Sequence, residues 1–491
     1  MLEQVKIRKK LEYEQKIKAL ENELESWSAR SKSDAVFEKH HTQIRAVQAH
    51  LKGWHASIRK KLTDYEKTDA DTYLSKCANA EKLILSEHRI WDYFRSKLIQ
   101  RNERSFNLYL KAADEFAWSC YKPIQEIVHP DLTDSHRKEP PLVFFNGGVS
   151  PFSISRERSF QVELVAGENI PFNSQSDLMK LPIPVVGVPW DQISFLPEAS
   201  VIGHEVGHLI EDDFLRDQDG ESARLKQLLD EALSARDAQS RRDAWQSWLG
   251  EIFADLYGCL ATGTAYAGTL IDFLAKGSSQ ISKEQKNAPD WKRYPTDFLR
   301  VRIVLKALEV MRGVMKFETG ADADRFEKEI NGYKAHWNLY TSNMPADFTD
   351  DIEVIVPTLL KGPHDNLKGA SIVEAFCFSS TQSKKAFETV EEIIKFEPQR
   401  IVDEKIIPGT KAQIKSTDMR ELFAAARIAY ERYPNEYTEK DYGIIILNHI
   451  EERVIKKGVR AGEPQLSAGQ LRKRMDSYEQ AGAAMVENFD L

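Results

Sequence analysis

Residues 204–208, with the sequence His-Glu-Val-Gly-His, have types and a spacing that suit metal chemistry. Residues four apart on an α-helix lie on one face, so the imidazoles of His204 and His208 can reach one metal ion. Glu205, beside the first histidine, can then take a proton from a metal-bound water. Val201, Ile202 and Leu209 flank these residues at helical spacing, which predicts that a buried helix presents them.

A catalytic zinc site usually has three protein ligands and one open position, so a third ligand is needed. A third histidine in the HExxHxxGxxH pattern would require glycine at 211 and histidine at 214, where the chain has Glu211 and Phe214. A carboxylate from a later helix is the other common choice, and Glu251 and Asp255 stand four apart in an otherwise apolar run. Glu251 can complete the ligand set. Asp255 can accept the spare N–H of a ligand histidine and fix its tautomer.

HEVGH followed by GEIFAD at 250–255 resembles the gluzincin clan of zinc metallopeptidases, in which HExxH pairs with a downstream ExxxD. The resemblance implies one Zn²⁺ per chain, with His204, His208 and Glu251 as ligands. It also implies that Glu205 is the general base and that Asp255 supports a ligand histidine. The implied reaction is hydrolysis of a peptide bond.

A further segment, Tyr-Pro-Thr-Asp-Phe-Leu-Arg at 294–300, stands where CAAX-protease-like gluzincins carry a His-Pro…Arg motif. The resemblance therefore adds Tyr294 and Arg300 to the candidate site, although Tyr294 replaces the usual histidine. A tyrosine can still donate a hydrogen bond to an oxyanion. The alternative is that Tyr294 is a packed aromatic and Arg300 an ion-pair partner.

Three interpretations of the whole chain remain open at this point. The first is a zinc metallopeptidase (a hydrolase, acting as an endopeptidase) on a protein or peptide substrate. The second is a catalytically inactive zinc-binding scaffold, which the tyrosine at 294 favours. The third is a coiled-coil interaction protein, in which His204 and His208 are ordinary helix residues and Glu251 and Asp255 form a solvated face.

The predicted fold class is mainly α with a small β-sheet. We expect a zincin-like catalytic core, preceded by a long helical coiled-coil hairpin and followed by a helical C-terminal region. The predicted boundaries are 1–70 for the hairpin, 71–135 for a helical subdomain with a helix end near Pro123, 136–345 for the core and 346–491 for the C-terminal region.

The N-terminal hairpin is predicted from two apolar seams flanked by charged residues, a pattern typical of a coiled coil. The break at 31–34 separates two helices, with Ser33 or Asp34 as the second N-cap. Such a hairpin can serve self-association, docking of a partner or closure as a lid; the alternative is a helical subdomain packed on the core. The seam positions are Ile17, Leu20, Leu24 and Trp27, then Ile44, Val47, Leu51, Trp54, Ile58 and Leu62 or Tyr65.

The small sheet is expected at roughly 140–190, where zincins carry an edge strand that pairs with extended substrate. Residues 142–145 and 159–165 are predicted strands, whereas the proline-rich stretch 181–189 is predicted as an edge or a covering loop. The rings of Trp190, Phe195 and Trp248 are candidates for a specificity pocket.

The composition of the chain limits the class of protein, the kind of partner and the cellular location that we expect. The 491 residues are 42% hydrophobic and 29% charged, which fits a helix-rich globular protein. A net charge of −8, from 68 basic and 76 acidic residues, gives no support for a nucleic-acid partner. Four scattered cysteines, no signal peptide and no membrane span predict a cytoplasmic protein.

Overall fold

The chain is mainly α-helical with a small mixed sheet, as the sequence predicts. No helix among the described residues is both long and apolar enough to cross a bilayer. The computed structural model describes residues 1–132, 134, 136–156, 181–216, 222–234, 239–277, 281, 293–341, 348–397, 400–402, 405–407, 413–455 and 466–487.

The N-terminal hairpin consists of α1 (Leu2–Arg30) and α2 (His41–Glu66). The predicted break after residue 30 is confirmed, and every predicted seam position is buried except Trp27 and Tyr65, which are half-buried. The predicted N-cap was wrong, because α2 begins at His41, seven residues after Asp34, with His40 at its N-cap. Asp34 instead caps the turn itself: its carboxylate accepts from the Val36 N–H at 3.0 Å and from Arg30 at 2.9 Å.

Helices α3 (Ala70–Ile99) and α18 (Ala468–Glu487) pack on this hairpin, so it does not stand alone. Two glycines let α18 touch the backbone of α2. A Cβ atom on Gly482 would lie 1.9 Å from the carbonyl oxygen of His50, and one on Gly53 would lie 2.0 Å from that of Glu479. Only hydrogen fits at these positions.

Helix α4 (Arg104–Val128) leads from the hairpin to the sheet and runs through Pro123, where the sequence wrongly predicted its end. The sheet consists of β1 (Leu142–Asn146), β2 (Phe152–Ile154) and β3 (Val185–Pro189), in the order β1-β3-β2.

Strand β3 is the central strand, parallel to β1 and antiparallel to β2, so the prediction of an edge or covering loop at 181–189 was wrong. Pro182 and Pro184 precede the strand and Pro189 closes it, which leaves the N–H groups of 185–188 free for the ladder. The predicted strand at 159–165 lies outside the described residues.

The sheet separates two hydrophobic cores because side chains alternate along a strand. Leu142 and Phe144 of β1 face the core of the N-terminal hairpin, α3 and α18. Val143 and Phe145 face the larger core formed by α4 and the later helices.

Side chains close the outer edge of β1. The amide of Gln100 bonds both the N–H and the carbonyl of Phe145, each at 2.9 Å. Asp114 accepts from the Val143 N–H at 3.0 Å, and Arg101 donates to the Val143 carbonyl at 2.7 Å. Among the described strands, β2 is therefore the edge without such a cover.

The remaining helices surround the larger core, and a small hairpin of β4 and β5 joins two of them. Their bounds are α5 (Trp190–Ser194), α6 (Val201–Ile210), α7 (Ala223–Leu233), α8 (Gln239–Thr262), α9 (Thr264–Leu274), α10 (Asp297–Val314), α11 (Gly320–Tyr340), α12 (Thr349–Lys361), α13 (Ile372–Ala375), α14 (Ser380–Ile393), β4 (Arg400–Val402), β5 (Lys405–Ile407), α15 (Met419–Arg432), α16 (Pro434–Glu439) and α17 (Tyr442–His449).

Candidate metal centre

Helix α6 carries the two histidines, and all ten of its residues are buried. Its glycines set its distance from α8. A Cβ on Gly207 would lie 2.8 Å from the Cβ of Tyr257 and 2.9 Å from the Cα of Ala254, and one on Gly203 would lie 3.0 Å from the Cβ of Ala261. The glycines, four apart, therefore form a flat stripe on which α8 lies closely.

The close approach of α6 and α8 brings Glu251 to both histidines. One ligand atom from each of His204, His208 and Glu251 lies within 4.8 Å of the others. The Oε2 atom of Glu251 is 3.5 Å from Nε2 of His204 and 3.6 Å from Nε2 of His208. Among the described residues, this is the only group of histidine, cysteine and acidic side chains with such geometry.

This donor set fits a zinc ion. Zinc–ligand bonds of about 2.0–2.2 Å in a tetrahedral site place two ligand atoms about 3.3–3.6 Å apart, which matches both separations. The Oε2 atom of Glu251 is also fully buried and has no hydrogen-bond partner among the described residues. A bound cation would satisfy this oxygen.

Asp255, one turn after Glu251 on α8, fixes the orientation of His204. Its Oδ1 accepts from Nδ1 of His204 at 2.8 Å, so Nε2 is the ring nitrogen that faces Glu251. Arg300 of α10 donates to both carboxylate oxygens, at 2.7 and 2.8 Å. Burial alone would raise the pKa of Asp255, but Arg300 and His204 outweigh it and hold the pKa well below its usual range.

Tyr266 of α9 is a further member of the site that the sequence did not reveal. Its hydroxyl donates to Oδ1 of Asp255 at 2.7 Å and lies 3.2 Å from Nδ1 of His204. Its ring fills the space beside Gly258, where a Cβ would lie 2.6 Å from a ring carbon. Tyr266 belongs to no motif, so only the packing of α9 on α8 identifies it.

At His204 and Glu251, the neighbouring charges shift the pKa in the direction opposite to the shift that burial causes. Burial lowers the pKa of His204, but Asp255 and Glu251 outweigh it and raise the pKa to about 9. Burial likewise raises the pKa of Glu251, but the two imidazoles outweigh it and hold the pKa well below its usual range. Without a metal, these interactions favour the protonated imidazole of His204, and a metal ion bound there would displace that proton.

Tyr294 and Arg293 lie at the rim of the site. The side chain of Arg293 is 58% exposed, and its Nε is 2.5 Å from Oε1 of Glu251. Tyr294 is half exposed, and its ring centroid is 5.5 Å from the guanidinium carbon of Arg300. Burial, followed by the charge of Glu251, raises the pKa of Tyr294, so its hydroxyl stays protonated. Arg293, like Tyr266, was not found from the sequence.

The structure thus brings His204, Glu205, His208, Glu251, Asp255 and Arg300 together on three helices, with Tyr294 at the rim. Glu205 is buried beside the histidines, and its charge contributes to the raised pKa values of His204 and Tyr294.

The three rings proposed to line a specificity pocket each pack against a different aromatic side chain. Trp248 packs against Phe348 with centroids 5.2 Å apart, Trp190 against Phe106 at 4.5 Å, and Phe195 against Tyr430 at 4.9 Å.

Comparisons with known proteins return no match: no protein family, no curated protein and no solved structure is significantly similar to this chain. A function for this chain therefore has to be argued from the chemistry of the site itself.

Proposed function

We propose that this chain is a zinc-dependent metallopeptidase with a zincin-like core of the gluzincin type. The observation that carries the proposal is the convergence of His204, His208 and Glu251 on one point, with Asp255 orienting the first histidine. Two histidines and one carboxylate are a usual set of protein ligands for catalytic zinc, whose fourth position is taken by water or substrate.

Zinc, Glu205 and Tyr294 each have a separate role in the proposed hydrolysis. Zinc, when bound, polarises the scissile carbonyl and makes water acidic enough to ionise near neutral pH. Glu205 accepts the proton of the attacking water and delivers it to the leaving amine. Tyr294, protonated and at the rim, donates a hydrogen bond to the carbonyl oxygen as negative charge develops there.

The proposed substrate is an extended peptide segment of a protein. The outer edge of β1 is closed by Gln100, Arg101 and Asp114, so a peptide cannot add a strand there. Strand β2 is the opposite edge of the described sheet, and it lies against α6. Strand addition at β2 would place a peptide alongside the helix that carries the histidines.

Metal content tests the proposal that this chain binds zinc. We expect one zinc per chain in the purified protein by plasma mass spectrometry, and loss of that zinc in Glu251→Ala. Glu388→Ala, which removes an exposed carboxylate of α14, is the matched control and should keep the metal. Folded wild type that binds no added zinc would overturn the proposal.

Peptide hydrolysis tests the proposal that the zinc site is catalytic. The probe is a peptide library made by digesting a cell lysate, incubated with zinc-loaded wild type or Glu205→Gln, with new peptide termini counted by mass spectrometry. Glu205→Gln should keep the zinc and produce no new termini, because the amide cannot accept the proton.

A zinc-binding scaffold without turnover is the second candidate. It is favoured by the ion pair of Arg293 with Glu251 and by the tyrosine at 294 in place of histidine. Zinc in wild type, with equal termini from wild type and Glu205→Gln, would select the scaffold.

A further inference from the structure

A cavity of about 170 Å³ lies between α4, the connection from α5 to α6, and the pair α16 and α17. None of the residues that line it belongs to the metal centre. We call it the Tyr437 cavity and define it by Tyr109, Phe195, Tyr437, Thr438, Asp441 and Gly443.

Aromatic rings form much of the wall of the Tyr437 cavity. Phe195 and Tyr437 stand edge to face, with centroids 6.3 Å apart and planes at 78°, and Tyr109 lines the cavity from α4. The face of an aromatic ring carries negative charge density and attracts a cation that lies within about 6 Å.

The hydroxyl of Tyr437 is buried at this cavity without a hydrogen-bond partner among the described residues, in a side chain that is 5% exposed. Gly443 lies close to it, since a Cβ there would be 3.0 Å from the hydroxyl oxygen, so no side chain at position 443 covers the hydroxyl. A buried hydroxyl without a partner is unfavourable, so a ligand that bonds it recovers free energy.

The charge of the cavity is negative. Asp441 is the only charged residue in the part of the lining that the structure describes, and no salt bridge joins it to a described cation. Its neighbour Lys440 pairs with Glu397 at 2.8 Å instead. Burial, followed by the charge of Asp441, raises the pKa of Tyr109, and both residues line this cavity.

We propose that the Tyr437 cavity binds a primary alkylammonium group, as carried by a lysine side chain or a small diamine. Asp441 supplies the counter-charge, the rings of Tyr109, Phe195 and Tyr437 cover the alkyl chain, and the Tyr437 hydroxyl accepts an ammonium N–H. The carboxylate and the ring faces select against an anion, and the carboxylate and hydroxyl together select against a neutral alkyl group.

Binding to the full-length protein by isothermal titration calorimetry tests this site. The probes are N-acetyl-lysine methylamide, 1,5-diaminopentane and, as the uncharged control, N-acetyl-norleucine methylamide. We expect the norleucine compound to bind at least tenfold more weakly than an ammonium probe. Preference for the lysine compound identifies a protein side chain as the source of the ammonium, and preference for the diamine identifies a free small molecule. Absence of binding by both ammonium probes would overturn the proposal.

Two variants test whether the ammonium probes bind in the Tyr437 cavity. Asp441→Asn removes the charge, and asparagine tolerates the left-handed backbone found there, with φ of 51°. We expect it to weaken ammonium binding at least tenfold. Tyr437→Phe keeps the ring and should weaken binding about three- to tenfold.

Asp191→Asn on α5 is the matched control, because Asp191 is an exposed acid that does not line the cavity. It should leave the affinity unchanged. Equal affinities for Asp441→Asn and Asp191→Asn, in proteins with unchanged unfolding temperatures, would show that the ammonium binds elsewhere.

Discussion

The Nδ1 atom of His204 lies 2.8 Å from Oδ1 of Asp255, which stands 51 positions later on a neighbouring helix. Asp255 is itself held by Arg300 and Tyr266, from two further helices. The orientation of one imidazole therefore depends on four helices: α6, α8, α9 and α10.

Asp255→Asn should raise the Kd for zinc about 10- to 100-fold, because the ring of His204 loses the carboxylate that orients it. It should also lower the free energy of unfolding by about 3–5 kcal/mol, since Arg300 remains buried without its partner. Competition with a chromogenic chelator measures the first effect and urea unfolding the second. Asp230→Asn, at an exposed position of α7, is the control; equal zinc affinities for the two variants would contradict the orienting role.

Tyr266→Phe removes one of the donors to Asp255 and keeps the ring that packs beside Gly258. We expect the free energy of unfolding to fall by about 1 kcal/mol and zinc affinity to fall less than in Asp255→Asn. The same two assays apply. A larger loss of zinc affinity than in Asp255→Asn would mean that the hydroxyl acts on the metal site by another route.

Gly207→Ala should destabilise the protein by about 1–3 kcal/mol and reduce its zinc content, because the added methyl group pushes α6 away from α8 and from Glu251. Gly332→Ala is the matched control, at an exposed position of α11 where a Cβ meets nothing within 4 Å. That change should stabilise the protein by about 0.5–1 kcal/mol. Chemical unfolding and metal analysis of both variants check the contrast. Stabilisation by both substitutions would refute the close approach of the two helices.

Acid should weaken the packing of α2 on α18 through His50. Burial, followed by the charge of Arg156, lowers the pKa of His50 to about 3. The pKa of histidine in the unfolded chain is about 6.5, so the contribution of neutral His50 is present above that pH and is lost as the pH falls from about 6.5 towards 3.

The measurement is urea unfolding at pH 7 and pH 5. One such histidine accounts for about 2 kcal/mol of the stability lost between these pH values. His50→Gln should remove this part of the difference, whereas His336→Gln, at an exposed histidine of α11, should not. An unchanged difference in His50→Gln would show that His50 is protonated in the folded protein.

Local spacing explains what the sequence could predict. His204 and His208, like Glu251 and Asp255, are four apart on their helices, so each pair shares a face whatever the tertiary structure. The seam of the N-terminal hairpin depends equally on local spacing, and its predicted positions are buried or half-buried.

Tertiary contacts explain what the sequence could not predict. Tyr266 and Arg293 reach the site from residues that carry no pattern of their own. The central place of β3 was missed because Pro182 and Pro184 indicate an edge, although they precede the paired residues. The packing of α18 on α2 depends on glycines that look like ordinary helix interruptions until the two helices are placed together.

The contact of α18 with α2 also sets an order of events during synthesis. Ser57 donates a hydrogen bond to the carbonyl of Ala483, which is 426 residues further along the chain. At about 5–20 residues per second, a ribosome makes the second partner roughly 20–85 s after the first. Throughout that interval the apolar face of α2 that α18 will cover has no native partner, so the nascent hairpin exposes a surface that a chaperone could bind.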